Sequence, residues 1–213
     1  MFEEERIESF LRAFSKGFPE YIEELEEKAK AADIPIIRKD TQELLRVLLS
    51  LKKPKKILEI GTAVGFSSLL MAEYTEDDCK ITTIENYPPR IEEAKNNFSK
   101  FDKKGKINFL EGDAGEIIKN MQDEYDLIFL DGPKGQYENY LDDLLRMLPS
   151  GGLLITDNIL KEGEIVESRF AVTRRNRTIH SRMREYLLRL RDEEILENVI
   201  LPTGDGMTLS VKK

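Results

Sequence analysis

The chain has 213 residues, of which 40% are hydrophobic and 35% are charged, and its formal net charge is −8. This length suits one α/β domain with a sizeable core, so we treat residues 1–213 as a single domain. No apolar run is long enough to span a membrane, the N-terminus lacks a signal-peptide pattern, and the lone Cys79 excludes an intramolecular disulfide. We therefore expect a cytoplasmic protein with no membrane contact.

The basic residues are distributed unevenly along the chain. Residues 168–191 contain eight arginines opposed only by Glu185, so this segment carries +7 and leaves −15 on the rest of a chain whose total is −8. An arginine-rich segment on an acidic body favours the binding of a polyanion such as RNA. A solvated helix face or an oligomer interface would produce the same pattern, and both stay open as alternatives.

Residues 1–52 are predicted to form a helical lead-in. Apolar residues recur with helical periodicity through residues 2–31, and Gly17 and Pro19 interrupt them, which predicts two helices. After a short extended stretch, a third helix is predicted over residues 42–51.

Residues 53–213 are predicted to form an alternating α/β core. Short, β-branched strands alternate with helices, as expected for a parallel sheet that is covered on both faces. Near the end, an apolar stripe marks a helix that carries the arginines, and two further strands form a hairpin-like finish. This order predicts a doubly wound, Rossmann-like sheet of seven strands. The predicted strands cover residues 56–60, 80–85, 106–110, 125–130, 152–156, 195–201 and 207–211. The helices that alternate with the first five strands are predicted over residues 67–73, 89–101, 115–121 and 137–148.

A glycine-rich turn, Glu-Ile-Gly-Thr-Ala-Val-Gly over residues 59–65, follows the first predicted strand and leads into a helix. A strand that ends in such a turn exposes backbone N–H groups at a helix N-terminus, which suits a bound cofactor. The spacing Glu-x-Gly-x-x-x-Gly differs from the dinucleotide fingerprint Gly-x-Gly-x-x-Gly. The turn therefore favours a nucleoside cofactor without a pyrophosphate, and argues against NAD.

Polar residues also end the second and third predicted strands. Glu85 lies 24 residues beyond Gly61, where an acid of this fold type can accept both ribose hydroxyls of a nucleoside. Asp113 and Ala114 follow the third strand and would face the adenine edge, although a purely structural Gly-Asp turn is an equally good interpretation.

The fourth and fifth predicted strands end in a set of oxygen donors. Asp131 and Lys134 follow the fourth strand, and Asp157 and Asn158 follow the fifth. Because ligands of open α/β sheets bind outside the carboxyl ends of the strands, both sets point to one crevice. Two carboxylates and an amide suit a hard divalent ion, Mg²⁺ above all, whereas helix capping would explain each residue only singly. Lys134 is a candidate general base beside such an ion, with a solvated surface lysine as the alternative.

Together these pieces resemble the cation-dependent O-methyltransferases, which include the catechol and caffeoyl-CoA enzymes and have the class I S-adenosylmethionine-dependent methyltransferase fold. The resemblance covers roughly residues 34–213 and implies S-adenosylmethionine and Mg²⁺ as cofactors. It implies that Lys134 is catalytic and that the metal ligands are Asp131, Asp157 and Asn158. The residues that it implies around the cofactor are Ile37, Glu59, Gly61, Ser67, Glu85, Asp113, Ala114 and Asp131.

The segment from Arg174 to Tyr186 resembles, more narrowly, the bacterial tRNA 5-hydroxyuridine methyltransferases, which make 5-methoxyuridine at the wobble position (34) of tRNA. This resemblance implies a tRNA substrate and a homodimer. The 5-hydroxyl and 4-carbonyl oxygens of such a uridine could chelate Mg²⁺ as a catechol does. The arginines expected to contact RNA are Arg174, Arg175, Arg177, Arg182 and Arg184.

Several alternatives remain open at this point. The acceptor could be a small catechol or a hydroxycinnamoyl compound. A non-catalytic RNA-binding module of this fold is disfavoured by the intact Asp131, Lys134, Asp157 and Asn158, and a nicotinamide oxidoreductase is disfavoured by the glycine spacing. Tyr137 is expected either to stack on a base in the substrate pocket or to pack the start of its helix. His180 is expected to be a polar residue on a helix face.

Overall fold

A computed structural model describes residue 6, residues 9–10 and residues 13–213. The first predicted helix therefore lies partly outside the described residues. The second predicted helix extends over Glu20–Ala31 (α1), and the third extends over Lys39–Lys52 (α2). Gly17 has a φ of +72°, which ends helical geometry before α1.

Five strands then alternate with helices, and every boundary falls within three residues of its predicted position. The first elements are β1 Lys56–Ile60, α3 Phe66–Glu73, β2 Lys80–Glu85, α4 Pro88–Phe101, β3 Ile107–Glu111 and α5 Ala114–Asn120. They are followed by β4 Leu127–Leu130, a 3₁₀ turn at Lys134–Gln136, α6 Tyr137–Met147 and β5 Leu153–Thr156. A connection without regular helix or strand then leads to α7 Arg177–Asp192, β6 Leu196–Leu201 and β7 Met207–Lys212.

The strands form one seven-stranded sheet in the order β3-β2-β1-β4-β5-β7-β6. The first five strands are parallel, and β7 runs antiparallel to both β5 and β6. The strand order reverses between β1 and β4, where Ile60 pairs with Leu130. This is the topological switch point at which open α/β sheets bind ligands. The doubly wound sheet with an antiparallel finish is confirmed.

Apolar side chains are buried on both faces of the sheet. Along β4, Ile128 and Leu130 belong to one apolar cluster, whereas Leu127 and Phe129 belong to the other. This alternation arises because successive side chains of a strand point to opposite faces. Helices α5, α6 and α7 cover the first face, and α1 to α4 cover the second. The helical lead-in is therefore part of the core packing. No helix within the described part of the chain is both long and apolar enough to cross a bilayer.

The apolar stripe of α7 packs as its spacing predicts. Met183, Tyr186 and Leu190 are buried against the sheet. The Tyr186 hydroxyl lies 2.6 Å from the Thr156 hydroxyl at the end of β5. The stripe thereby fixes the arginine-bearing helix beside the strand ends that open onto the ligand crevice.

Gly61 directly follows β1 and lies against the backbone that follows β4, so it should not tolerate a side chain. Its φ is +101°, and an added Cβ would lie 2.1 Å from the backbone oxygen of Asp131. We predict that Gly61→Ala lowers the free energy of unfolding by at least about 3 kcal/mol, because the overlap adds to the backbone strain. Denaturant unfolding measures this change.

Gly105→Ala is the matched control for Gly61→Ala. Gly105 has a φ of +59°, but an added Cβ there meets nothing within 4 Å. Strain alone should cost about 1–2 kcal/mol. Equal losses in the two variants would show that the contact between Gly61 and Asp131 is not the constraint.

Candidate active site

A cavity of about 400 Å³ opens at the carboxyl ends of the parallel strands. The loops after β1, β2, β3, β4 and β5 all contribute to its walls, as the sequence predicts. The predicted site residues that line it are Gly61, Ser67, Glu85, Ala114, Asp131, Lys134 and Asn158.

The glycine turn shapes the floor of this cavity, but four of its backbone N–H groups already donate hydrogen bonds to other atoms of the protein. Those of Gly61 and Thr62 donate to the carbonyl of Ile84, at 3.1 and 3.2 Å. The N–H of Ala63 donates to Glu85, and that of Gly65 donates to Thr62. The expectation that the turn presents free amides is wrong for these four groups. The turn instead lets two strands meet closely and leaves room above them.

Glu85 is held in a fixed orientation by backbone donors. Its Oε2 accepts the Ala63 N–H at 2.9 Å, and its Oε1 accepts the N–H groups of Asn86 and Tyr87 at 2.9 and 3.0 Å. A carboxylate has about four lone-pair sites, and these three donors leave one of them on Oε2 to accept a hydroxyl from the cavity. This arrangement suits a hydroxyl of a ribose.

Glu59 lies beneath the cavity and has no exposed surface. Its Oε2 accepts hydrogen bonds from the hydroxyls of Ser68 and Thr83. Its Oε1 has no partner among the residues that the structure describes. Burial raises the pKa of this carboxyl, because the charged form loses its hydration. Glu59 therefore supports the turn from below and keeps one buried acceptor free.

Asp131 and Asp157 bring two carboxyls together in a region of low hydration. Burial raises the pKa of Asp157 to about 6, with further raising by Asp205 and Asp40, although the Asn158 N–H and the charge of Lys134 oppose these effects. Burial, and then the neighbouring Asp157, raise the pKa of Asp131 well above its ordinary value. Two such carboxyls resist ionisation unless a positive charge lies between them.

The donor set of these residues fits a hard divalent cation. Asp157 is 1% exposed, its Oδ1 accepts the Asn158 N–H at 2.8 Å, and its Oδ2 has no partner among the described residues. Asn158 adopts a φ of +55°, a left-handed conformation that asparagine tolerates better than most residues. The described residues hold no cluster of three or more His, Cys, Asp or Glu side chains that could bind a metal. The predicted third ligand is an amide, so Asp131, Asp157 and Asn158 are the residues that could hold a cation.

Other predicted site residues lie behind or beside the cavity. Ile37 is 3% exposed and belongs to the core, while the preceding Pro35 and Ile36 line the wall. Asp113 caps α5, because its side chain accepts the Glu116 N–H at 3.1 Å. Of the two interpretations of Asp113, the structure directly displays the capping role.

Tyr137 and His180 differ from what the sequence suggested. Tyr137 is fully buried, donates its hydroxyl to the Gly132 carbonyl at 3.2 Å and packs against Tyr186, so base stacking by this residue is wrong. Tyr140, one helical turn later, lines the cavity instead. His180 is 2% exposed and its Nε2 donates to the Glu167 carbonyl at 3.1 Å, so it is not a residue of the solvent-facing helix surface.

The arginine segment divides into paired and unpaired residues. Arg189 forms ion pairs with Glu138 and Asp142, and Arg191 pairs with Asp192. These contacts reduce the positive field at the C-terminal end of α7.

The N-terminal arginines of the segment are arranged differently. Arg177, Arg182 and Arg184 each donate to a backbone carbonyl, which satisfies only part of the guanidinium. Arg174 and Arg175 are exposed and form no hydrogen bond or ion pair with any described residue. The available positive charge therefore lies at the start of α7.

One contact joins this basic surface to the cavity. Arg182 NH1 donates to the carbonyl of Gly135 at 3.0 Å. Gly135 directly follows Lys134, which lines the cavity. The helix that carries the arginines thus borders the site of the candidate catalytic lysine.

The fold and this strand-end site define the class of methyltransferases with a Rossmann-like core. Residues 13–213 match the model of the O-methyltransferase family. The chain is 33% identical to caffeoyl-CoA O-methyltransferase 2 of Eucalyptus globulus over 180 residues, which cover 80% of this chain and 72% of that protein. The chain therefore belongs to the O-methyltransferase family.

Two crystal structures share the fold over their whole length. A Staphylococcus aureus protein provisionally named a caffeoyl-CoA O-methyltransferase superposes with a TM-score of 0.87, at 30% identity and over 98% of each chain. The SAH-bound methyltransferase PaMTH1 of Podospora anserina superposes with a TM-score of 0.89, at 25% identity, over 100% of this chain and 97% of that chain. The predicted class I S-adenosylmethionine-dependent methyltransferase fold is confirmed.

The buried carboxyl of Asp157 should make the cation-free protein less stable as the pH rises. Its pKa moves from 3.8 to about 6 on folding, so the free energy of unfolding falls as the pH rises from about 4 to about 6. At higher pH the free energy of unfolding remains at this reduced value. This loss amounts to at most about 3 kcal/mol, and we predict that Asp157→Asn removes it. Denaturant unfolding in EDTA at a series of pH values measures the difference.

Mg²⁺ provides the control for this comparison. It should raise the melting temperature of the wild type at pH 7.5 and leave that of Asp157→Asn almost unchanged. Parallel pH profiles for the two proteins in EDTA would contradict the assigned burial of a charged group at Asp157.

Proposed function

We propose that this O-methyltransferase transfers the methyl group of S-adenosylmethionine to the 5-hydroxyl of 5-hydroxyuridine at the wobble position (34) of tRNA, with the help of a divalent cation, Mg²⁺ above all. The observation that carries the choice of substrate is the basic start of α7, where Arg174 and Arg175 are exposed beside a helix that contacts the Lys134 turn. Arginines in such a position can contact several phosphates of one RNA strand.

The strand-end cavity supports S-adenosylmethionine as the methyl donor. Glu85 is oriented by three backbone N–H groups, and its Oε2 keeps a lone pair that can accept a ribose hydroxyl. Gly112 and Ala114 line the adjoining wall, where a nucleoside base would lie. PaMTH1, which has the same fold, is SAH-bound.

The chemistry proposed here is a single displacement without a covalent enzyme intermediate. The acceptor oxygen forms a bond to the methyl carbon as the bond from that carbon to sulfur breaks. Lys134 Nζ takes the hydroxyl proton or stabilises the resulting oxyanion, and the loops around the cavity hold donor and acceptor in line. Asp131, Asp157 and Asn158 would hold the cation, which when bound lowers the pKa of a coordinated hydroxyl.

A small catechol or hydroxycinnamoyl acceptor is the second candidate. It is favoured by the 33% identity to caffeoyl-CoA O-methyltransferase 2 of Eucalyptus globulus. Both acceptors present two neighbouring oxygens, so the same cation site would serve either. The arginine segment, which a small acceptor does not require, distinguishes them. The homodimer and the cytoplasmic location remain predictions.

Removing the exposed arginines should affect tRNA and leave a small acceptor unaffected. We predict that Arg174→Ala combined with Arg175→Ala lowers kcat/KM for tRNA bearing 5-hydroxyuridine by about tenfold or more, because two phosphate contacts are lost. Activity on free catechol should not change. Radiolabelled methyl transfer, with mass spectrometry of the nucleosides, measures both reactions, and EDTA should abolish each.

Arg191→Ala is the matched control, since it removes an arginine that already pairs with Asp192. It should retain wild-type activity on both substrates. An equal loss on tRNA and catechol in the double variant would contradict an RNA-binding role for this segment, as would a wild-type enzyme that methylates catechol but not tRNA.

A further inference from the structure

We propose that Phe170 is a base-stacking residue, which packs against an unpaired nucleotide that flanks the reacting uridine of the RNA substrate. Phe170 lies in the connection between β5 and α7, outside the cavity and outside the arginines already considered. The inference rests on the proposed function, because it names a further contact with the same RNA.

Phe170 is presented to solvent to an unusual degree. Its exposed fraction is 88%, higher than that of any other large hydrophobic residue within the described part of the chain. The tip around it is locally ordered, since the Phe170 N–H donates to the Ser168 hydroxyl at 3.3 Å and the Ala171 N–H donates to the Ser168 carbonyl at 2.8 Å. A turn of this kind holds the Phe170 ring in solvent, where no side chain of the described residues covers it.

Both ends of this tip are tied to α7. On one side, His180 and Arg184 donate to the carbonyl of Glu167, at 3.1 and 3.5 Å. On the other side, Arg177 donates to the carbonyl of Val172 at 3.2 Å, and Val172 itself is buried. Only residues 168–171 separate the two attachments, so the ring has little freedom to fold back onto the protein.

These attachments explain why several arginines of α7 contact their own chain. Asn176, which directly precedes α7, and Arg184 also donate to an earlier part of the same connection, to the Glu164 carboxylate and the Ile165 carbonyl. The basic helix therefore builds the platform that carries Phe170. Phe170 and Arg174 lie four residues apart in this connection, and both are exposed.

The surroundings of Phe170 indicate single-stranded nucleic acid as the ligand. Arg169 precedes it directly, Arg174 and Arg175 follow four and five residues later, and all three are exposed. Proteins that bind single strands combine positive charge for the backbone with aromatic rings for the bases, and one stacked base contributes about 1–3 kcal/mol. Bases within a duplex already stack on each other, whereas the wobble nucleotide lies in a loop with unpaired neighbours.

The platform also lies at a suitable place relative to the reacting atoms. Arg182 contacts Gly135 beside Lys134, and Arg177 contacts the tip at Val172. These two arginines lie five positions apart in the helix, which corresponds to about 7.5 Å along the helix axis. A nucleotide held at the tip could therefore be continuous with a uridine in the cavity.

Phe170→Ala should weaken the reaction with RNA and spare the reaction with a nucleoside. The substrates are an anticodon stem-loop that carries 5-hydroxyuridine at position 34, and free 5-hydroxyuridine. We expect KM for the stem-loop to rise about 5- to 100-fold, with little change in kcat. The kinetics with free nucleoside should not change, and Phe170→Tyr should restore the wild-type KM.

A direct readout of stacking accompanies the kinetics. With 2-aminopurine placed on either side of position 34, binding of the wild type should quench its fluorescence at one of the two positions, and Phe170→Ala should abolish that quenching. Val166→Ala is the matched control, because Val166 is an exposed apolar residue of the same connection, 70% accessible to solvent. It should behave as the wild type in both measurements.

The outcomes separate this inference from the proposed function. If the wild type methylates the stem-loop and Phe170→Ala has an unchanged KM, stacking by Phe170 is wrong while the proposed function stands. If the wild type methylates catechol but not the stem-loop, the proposed function itself fails. An equal loss on stem-loop and nucleoside, or a change only in oligomeric state or in vesicle binding, would also overturn the role assigned to Phe170.

Discussion

The close approach of Gly61 to the backbone of Asp131 is the constraint on which the rest of the site depends. A Cβ at Gly61 would lie 2.1 Å from the Asp131 oxygen, so only glycine lets the ends of β1 and β4 meet at this distance. The strand order reverses at this point, and the loops on either side must diverge. That divergence opens the cavity, which Glu85 and Lys134 both line.

The site combines rigid placement with unfavourable electrostatics. Glu59, Asp131 and Asp157 are carboxyls whose pKa values are all raised by burial. Such groups lower stability unless a ligand supplies compensating charge or hydrogen bonds. Unpartnered oxygens remain on Glu59 and Asp157 among the described residues. These buried oxygens are acceptors that a cation or a hydrogen-bond donor could satisfy. Without such a ligand, they lower the stability of the protein.

Sequence reasoning succeeded where the signal is local. The strands and the glycine turn follow from short patterns, and the strand boundaries lie within two residues of their predicted positions. It failed where distant residues decide the outcome. The Ile84 carbonyl and Glu85 use the amides of the turn, and contacts with Gly132 and Tyr186 hold Tyr137 in the core, while Tyr140 lines the cavity. The pairing of Arg189 with Glu138 likewise joins residues 51 positions apart, so the net charge of the arginine segment overstates what is available to a ligand.

The central claim is that a shared O-methyltransferase site has been directed to tRNA by a basic helix beside it. Mass spectrometry of tRNA nucleosides from a strain that lacks this gene tests the claim most directly. The account predicts that 5-methoxyuridine disappears, that 5-hydroxyuridine accumulates, and that a plasmid copy of the gene restores the methylated nucleoside. Unchanged 5-methoxyuridine in the deletion strain would contradict it.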